Sequence, residues 1–220
     1  MKRKIPWLRR LQNKVSLFDR GPNTYYGDRA ETYVLDRQED SRWGREDEIV
    51  TEALSRLTPR PKILDIPVGT GRFFEQLSSM QAEVTAIDIS KDMLRIARAS
   101  AARHESANTS FKMSAAHKTQ MGTGHFDAIL SIRFIGMLRP RYAQRVLREF
   151  RRVLKRNGTL VLYFPIGQEN VPAQIVNHVS DMTPGQFYGM MEGVGFKALS
   201  VHPAGSNSVH DYFIAEFQRS

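Results

Sequence analysis

The chain has 220 residues, enough for one α/β domain with a sizeable core. Its composition, 41% hydrophobic and 25% charged, is that of a globular protein and excludes a disordered chain or a repeat array. It contains no cysteine, which excludes disulfides, thiolate metal sites and any mechanism that needs a cysteine nucleophile. No apolar run approaches the roughly 20 residues that cross a bilayer. The formal net charge of +9 favours an anionic partner, without choosing between nucleic acid, an acidic membrane surface and an acidic substrate.

The first 20 residues carry seven Lys and Arg side chains and one acid. Apolar residues recur there at spacings of three and four, which predicts a basic amphipathic helix. These residues are Leu8, Leu11, Val15 and Phe18. The helix could face RNA or an anionic membrane surface, or it could pack on its own domain, and the pattern leaves these alternatives open. We divide the chain into a basic arm with a candidate active-site lid, residues 1–45, and a main domain, residues 46–220.

Downstream of the arm, the patterns of strands and helices alternate. Helices are expected over residues 45–57, 71–80, 91–100 and 140–156, the last of them closed by Asn157-Gly158, and from Thr183, where a capping box opens a further helix. Strands are expected over residues 63–66, 84–87, 110–113, 128–132, 160–164, 196–201 and 211–217. This alternation predicts an α/β fold, with a parallel sheet and helices on both of its faces.

One segment, residues 63–73, leaves a buried strand and enters a helix through a turn that holds Gly69 and Gly71. Glycines in such a turn let the backbone approach a ligand closely, and the helix N-terminus presents unpaired N–H groups to an anion. Nineteen residues after Gly69, Asp88 ends the second strand, where a carboxylate suits ribose hydroxyls. The pattern predicts a nucleotide site.

Two residues indicate the class of nucleotide. A dinucleotide fingerprint needs a third glycine, and Phe74 stands at that position. Asp65, at the mouth of the first strand, would repel a pyrophosphate but would attract a ligand that carries an ammonium and a sulfonium group. The turn is therefore expected to bind a cationic nucleoside.

Residues 63–73 together with 84–88 resemble the first two signature motifs of class I S-adenosylmethionine (SAM)-dependent methyltransferases. The order of elements in that family extends over roughly residues 46–217. The resemblance implies a Rossmann-like, doubly wound sheet of seven strands, mostly parallel with the last strand antiparallel, and an N-terminal helical arm outside it. It also implies SAM as the cofactor, bound across the carboxyl ends of the first, second and fourth strands.

The resemblance assigns a role to each residue that matches the motifs. Asp65 would lie near the methionine amino group of SAM, and Asp88 would hold the ribose hydroxyls. The other residues implied to surround the cofactor are Pro67, Gly69, Gly71, Ile89, Ser114, Ala115 and Ser131. Ile89 would flank adenine, while residues 125–131 resemble the family's fourth-strand motif, whose end faces the methyl group.

Two positions depart from the family pattern. Pro67 stands where the family usually has glycine, and proline fixes φ and removes one N–H donor. Ser114 and Ala115 stand where the family often has an acid that contacts the adenine amino group, so backbone groups or Ser114 are expected to hold adenine here.

Methyl transfer from a sulfonium needs alignment more than acid–base chemistry, and alignment alone can supply about 7–11 kcal/mol. Three residues are candidates on the acceptor side. Arg133 could clamp a carboxylate or phosphate, or pair with a nearby acid. His178 could act as a base or be structural, and Tyr26 could close a lid over SAM and the acceptor or pack in a surface turn.

The predicted activity is SAM-dependent methyl transfer to oxygen or nitrogen of a small or lipid-linked, acidic acceptor. The fourth strand lacks the Pro-Pro-aromatic signature of enzymes that methylate exocyclic amines of nucleic-acid bases. Two alternatives stay open: an RNA- or ribosome-directed methyltransferase, and a module that binds SAM without transferring its methyl group. No histidine pair has the spacing of a metal site, so no metal is expected. A cytoplasmic location is expected, with attachment to a membrane surface as the alternative.

Overall fold

The computed structural model describes residues 42–104, 108–167 and 177–220. The basic helix predicted for the first 20 residues, the lid and Tyr26 lie outside the described residues. The domain division after residue 45 stays a prediction.

One seven-stranded sheet organises the described chain, in the order β3-β2-β1-β4-β5-β7-β6. Its strands are β1 (Lys62–Asp65), β2 (Glu83–Asp88), β3 (Thr109–Met113), β4 (Phe126–Ser131), β5 (Leu154–Gly167), β6 (Phe196–Ser206) and β7 (His210–Arg219). Neighbouring strands from β3 to β5 are parallel, whereas β7 runs antiparallel to β5 and to β6. The predicted fold class, a mostly parallel seven-stranded sheet with the last strand antiparallel, is confirmed.

Helices cover both faces of the sheet. They are α1 (Arg42–Ser55), α2 (Phe74–Ser79), α3 (Lys91–Arg103), α4 (Pro140–Val153) and α5 (Pro184–Val194), with short 3₁₀ turns η1 (Ile135–Met137) and η2 (Val179–Asp181). Alternate residues of the central strands enter two separate apolar clusters, one with α1, α2 and α3 and the other with α4 and α5. Strands buried on both faces have nearly continuous apolar sequences, which is why β1 and β4 were recognisable.

Helix α4 ends earlier than its sequence predicts. We expected it to run to residue 156 and to close at Asn157-Gly158, but it ends at Val153, and Leu154 already pairs with Phe126 in the sheet. The backbone N–H groups of residues 124 and 125 donate to the carbonyls of residues 152 and 153, at 2.9 and 2.7 Å, so the helix end is capped by distant backbone. Asn157 instead lies inside β5 with φ +63°, in the stretch where the pairing with β4 shifts register.

Helix α1 packs against the β6–β7 hairpin at the end of the sheet. The guanidinium of Arg42 lies 4.2 Å from the centre of the Tyr212 ring, and Arg56 donates to the largely buried carboxylate of Glu216.

Among the described residues, no helix is both long and apolar enough to cross a membrane.

Candidate active site

A cavity opens at the carboxyl ends of β1, β2 and β4, where the chain order of the strands reverses and open α/β sheets usually bind ligands. Its floor is the turn that follows β1, and its walls come from the segments that follow β2, β3 and β4, together with α1 and α4. The lining side chains are mainly apolar, and they include Trp43, Phe73, Met93, Ile132, Phe134, Met137, Leu138 and Tyr142.

The two glycines of the turn have different constraints. Gly69 (φ +55°) and Gly71 (φ +75°) both adopt the left-handed conformation that other residues avoid. A Cβ atom on Gly71 would come within 2.2 Å of the Phe74 ring, whereas one on Gly69 would meet no atom of the described residues within 4 Å. Gly71 therefore lets the helix pack on the turn, and Gly69 keeps open the space above it. The Ile66–Pro67 peptide bond that precedes them is cis.

Asp88 holds the turn in place from the end of β2. One carboxylate oxygen accepts the backbone N–H of Gly69 at 3.0 Å, and the other accepts that of Ser90 at 2.8 Å. Burial raises the pKa of Asp88 to about 6, although these backbone donors oppose the rise. The carboxylate joins the ends of two neighbouring strands and lies in the wall of the cavity.

Asp65 is the second carboxylate of the cavity, and one of its oxygens is buried without a hydrogen-bond partner in the part of the chain that the structure describes. Its side chain is 4% exposed, and it ends β1 opposite Ala86, two residues before Asp88 on the neighbouring strand. Burial and the nearby charge of Asp88 raise the pKa of Asp65 well above its ordinary value. A cation bound in the cavity would offset both effects, so the pair fits a positively charged ligand.

Most of the residues predicted to hold SAM come together in this cavity. Those that line it are Asp65, Pro67, Gly69, Asp88, Ile89, Ser114 and Ala115. Gly71 and Ser131 are not among the lining residues, although their sequence neighbours are. Ser131 is fully buried, and its hydroxyl has no partner among the described residues.

Arg133 lines the cavity just beyond β4, as expected of an acceptor-side residue, but its guanidinium is paired. It donates to both carboxylate oxygens of Glu46, at 2.7 to 3.0 Å, and Glu46 is fully buried. The ion-pair alternative for Arg133 is therefore present in this structure. Its backbone φ of +54° is unusual for a residue with a side chain, and the bidentate pair fixes that conformation.

A second arginine shares the same carboxylate. Arg72 donates to Glu46 at 2.7 Å and to Asp47 at 2.8 Å, and its guanidinium lies 4.3 Å from the centre of the Trp43 ring. The cluster of Glu46, Asp47, Arg72 and Arg133 contains two acids and two bases, so its formal charge is balanced. It joins α1 to the glycine turn and to the end of β4, and both arginines line the cavity.

His178 lies away from the lining of the described cavity. It caps η2, where its backbone N–H donates to Asp181 at 2.9 Å, and its Nδ1 atom lies 3.8 Å from the same carboxylate. The role of His178 as a base stays a prediction. Within residues 42–104, 108–167 and 177–220, no group of three or more potential side-chain ligands could hold a metal ion.

Sequence reasoning did not assign site roles to Glu46, Trp43 and Tyr142. A signal for Glu46 was present, because it precedes Ile49 and Val50 on the apolar stripe of its helix, and a buried carboxylate needs cationic partners. Tyr142 lies on the buried face of α4, and its contribution to the cavity depends on how that helix packs.

Comparisons with known proteins agree with this geometry. Residues 63–158 match the family model described as a methyltransferase domain. The chain is 35% identical over 125 residues to a demethylmenaquinone methyltransferase of Thermotoga maritima, a match that covers 56% of this chain. The chain spans about half the length of that curated relative, since the match covers 50% of it.

Solved structures share the fold. A protein from Pyrococcus horikoshii superposes with a TM-score of 0.66 and 24% identity, over 82% of this chain and 93% of that one. The 1,6-didemethyltoxoflavin-N1-methyltransferase of Burkholderia thailandensis, solved with its substrate and S-adenosylhomocysteine, gives a TM-score of 0.65 and 16% identity, over 88% of this chain and 86% of that one. These likenesses show the fold, and the match of residues 63–158 to the methyltransferase domain model, together with the glycine turn and its two carboxylates, supports a class I SAM-dependent methyltransferase.

Proposed function

We propose that this protein binds SAM in the cavity and transfers its methyl group to an oxygen or nitrogen of a small or lipid-linked acceptor. The observation that carries the proposal is the buried, unpartnered carboxylate oxygen of Asp65 beside the glycine turn. A buried ionisable oxygen without a partner is costly, and a cationic ligand would supply the missing interaction.

The residues of the cavity fit SAM on three counts. Asp65 would accept the ammonium group of the ligand, and Asp88 would accept the ribose hydroxyls while keeping its backbone donors. Gly69 leaves open the space that a side chain would fill. When bound, SAM supplies an electrophilic methyl group on a sulfonium. The contribution of the protein is to hold the acceptor in line with that group and to exclude water.

The acceptor side of the cavity favours a molecule with an apolar body. Ile132, Phe134 and Met137 follow β4 and line this side, and Trp43 faces it from α1. The relative from Thermotoga maritima is named for a quinone acceptor, which also has an apolar body. An acidic group on the acceptor, which we predicted from Arg133, would have to compete with Glu46 for that guanidinium.

Calorimetry with SAM tests the proposal. We expect micromolar binding by the wild-type protein, loss of binding in Asp88→Ala, and unchanged binding in Glu192→Ala, an exposed acid on α5. Circular dichroism of each variant checks that it folds. Incubation with labelled SAM and pools of small and lipid-linked acceptors then identifies the methylated product. A folded wild-type protein that binds no SAM, or an Asp88→Ala variant that binds it normally, would overturn the proposal.

A further inference from the structure

The end of the cavity nearest β3 carries a pair of side chains that the proposed function does not use. Tyr142, on the first turn of α4, lines the cavity and is 8% exposed. Its hydroxyl lies 2.8 Å from Nδ1 of His117, and the two rings are 5.2 Å apart. His117 itself is not among the lining residues.

The segment after β3 is built so that His117 reaches α4. The Ser114 N–H donates to the Asp88 carbonyl at 3.1 Å, and the Ser114 hydroxyl donates to the Lys118 carbonyl at 2.9 Å. One residue further on, the backbone N–H and the hydroxyl of Thr119 both donate to Glu149 of α4, at 2.8 and 2.6 Å. The segment is thus attached to β2 at one end and to α4 at the other, which fixes the position of His117.

The order of the strands tells which part of SAM would face this pair. SAM is a linear molecule, with its amino group at one end, the ribose in the middle and adenine at the other end. If Asp65 on β1 receives the amino group and Asp88 on β2 receives the ribose, adenine extends toward β3, the next strand in the sheet. This step rests on the proposed function.

We propose that Tyr142, oriented by His117, hydrogen-bonds the 6-amino group of adenine and so contributes to recognition of the base. An exocyclic amine is a donor and needs an acceptor when it is buried. The two lining carboxylates lie at the ends of β1 and β2, so the Tyr142 hydroxyl is the side-chain oxygen that α4 brings to the β3 end.

The His117 ring suits this orienting role. In the neutral tautomer that carries its proton on Nε2, His117 accepts the phenol proton at Nδ1, and the phenol oxygen then acts as the acceptor for an N–H of the base. Burial and the positive charge of Arg145 lower the pKa of His117, which favours the neutral ring. His117 is therefore a positioning residue, and Tyr142 is the residue that would touch the ligand.

A pair of ligands tests the contact: S-adenosylhomocysteine and its analogue in which purine lacks the 6-amino group. For the wild-type protein we expect removal of the amino group to weaken binding about fivefold, the usual value of one neutral hydrogen bond. In Tyr142→Phe, S-adenosylhomocysteine should bind about fivefold more weakly than in the wild type, and loss of the amino group should have no further effect. Calorimetry gives all four dissociation constants.

Three variants make the result specific. Tyr188→Phe removes a hydroxyl from α5, away from the lining, and should keep the wild-type ratio of the two dissociation constants. His117→Ala should lower that ratio toward one, as Tyr142→Phe does, if His117 orients the phenol. Ser114→Ala tests the competing candidate that the sequence predicts to hold adenine: the ratio would fall in this variant if the Ser114 hydroxyl, which donates to the Lys118 carbonyl, accepted the amino group instead.

An unchanged ratio in Tyr142→Phe would overturn the assignment, as would a ratio that falls in Ser114→Ala instead. An unchanged ratio in His117→Ala would overturn the orienting role of the histidine. A folded wild-type protein that binds neither ligand would overturn the proposed function and this assignment with it. Binding of both ligands with equal affinity would overturn the assignment alone.

Discussion

At the scale of single residues, Asp65 combines two costs that proteins normally avoid: a buried charge, and a buried oxygen without a partner. Asp88 resembles it in burial, but both of its oxygens accept backbone N–H groups. The pKa of each carboxyl group is raised above its unfolded value, so the folded protein without ligand holds more protons than the unfolded chain between the two values. The contribution of these groups to stability is therefore fully present below about pH 4 and is lost as the pH rises, for Asp88 through about 6.

Binding of a cation should reverse this effect, which gives a pH prediction. SAM favours the ionised carboxylates, so their pKa values fall in the complex and protons are released. We expect the affinity for SAM to rise as the pH increases from 5 to 7, by up to about tenfold per pH unit for each proton released. Calorimetry in buffers of different ionisation enthalpy measures the affinity and the proton release together, and an affinity independent of pH would contradict the prediction.

The same residue allows a stability test. We expect Asp65→Asn to abolish SAM binding and to raise the Tm of the free protein at pH 7, but not at pH 4, because the amide cannot ionise. A gain of about 1 kcal/mol would raise the Tm by about 2–4 °C in a protein of this size. Asp211→Asn, at an exposed position on β7, is the control and should leave the Tm unchanged at both pH values.

At the scale of elements, local sequence signals predicted the ends of some helices correctly and not those of others. Helix α5 begins as its capping box predicts: the Thr183 hydroxyl accepts the Gln186 N–H at 3.4 Å, and Gln186 accepts the Thr183 N–H at 2.9 Å. The end of α4 was wrong by about one turn, because pairing of Leu154 with β4 replaced the helical conformation that Asn157-Gly158 would have closed. Tertiary contacts of that kind carry no local signal.

The glycine turn between β1 and α2 gives a matched pair of substitutions. Gly71→Ala would press a methyl group into the Phe74 ring and should lower the free energy of unfolding by several kcal/mol. Gly69→Ala meets open space, so its cost should be limited to the left-handed backbone, about 1–2 kcal/mol. Its methyl group would occupy the cavity, however, so SAM binding should be lost.

Urea unfolding of the two variants, followed by calorimetry with SAM at a temperature where both are folded, distinguishes these effects. Equal stability losses would contradict the packing role of Gly71 against Phe74. Normal SAM binding by Gly69→Ala would show that the open space above Gly69 is not the ligand site.

At the scale of the whole molecule, the alternation of strands and helices predicted the sheet, and strand ends predicted Asp65 and Asp88 because their chemistry is local. The side of the cavity formed by α1 was not predictable in the same way. It depends on Glu46 meeting Arg133, 87 residues away in sequence, and Arg72, 26 residues away. Only the packed structure shows that one buried carboxylate holds both arginines.

We expect Glu46→Ala to lower the free energy of unfolding by about 3–5 kcal/mol, because it leaves two partly buried guanidinium groups without their shared acid. Glu48→Ala on the same helix removes an exposed ion pair with Arg45 and should cost less than about 1 kcal/mol. Urea unfolding measures both, and a Glu46→Ala cost no larger than that of Glu48→Ala would contradict the structural role of the cluster.

The packing of α1 on the β6–β7 hairpin also determines when the fold can form during synthesis of the chain. Strands β1 to β4 can pair as soon as they are synthesised, but α1 gains its contacts with β6 and β7 only after that hairpin has been made. The ion pair of Arg56 with Glu216 joins residues 160 apart in sequence. No residue of β6 or β7 lines the cavity described here, yet α1, which carries Glu46, takes its position from them. A nascent chain that lacks the hairpin would therefore hold most of the sheet but an incomplete cavity, and capacity for SAM would follow synthesis of the hairpin rather than formation of the glycine turn.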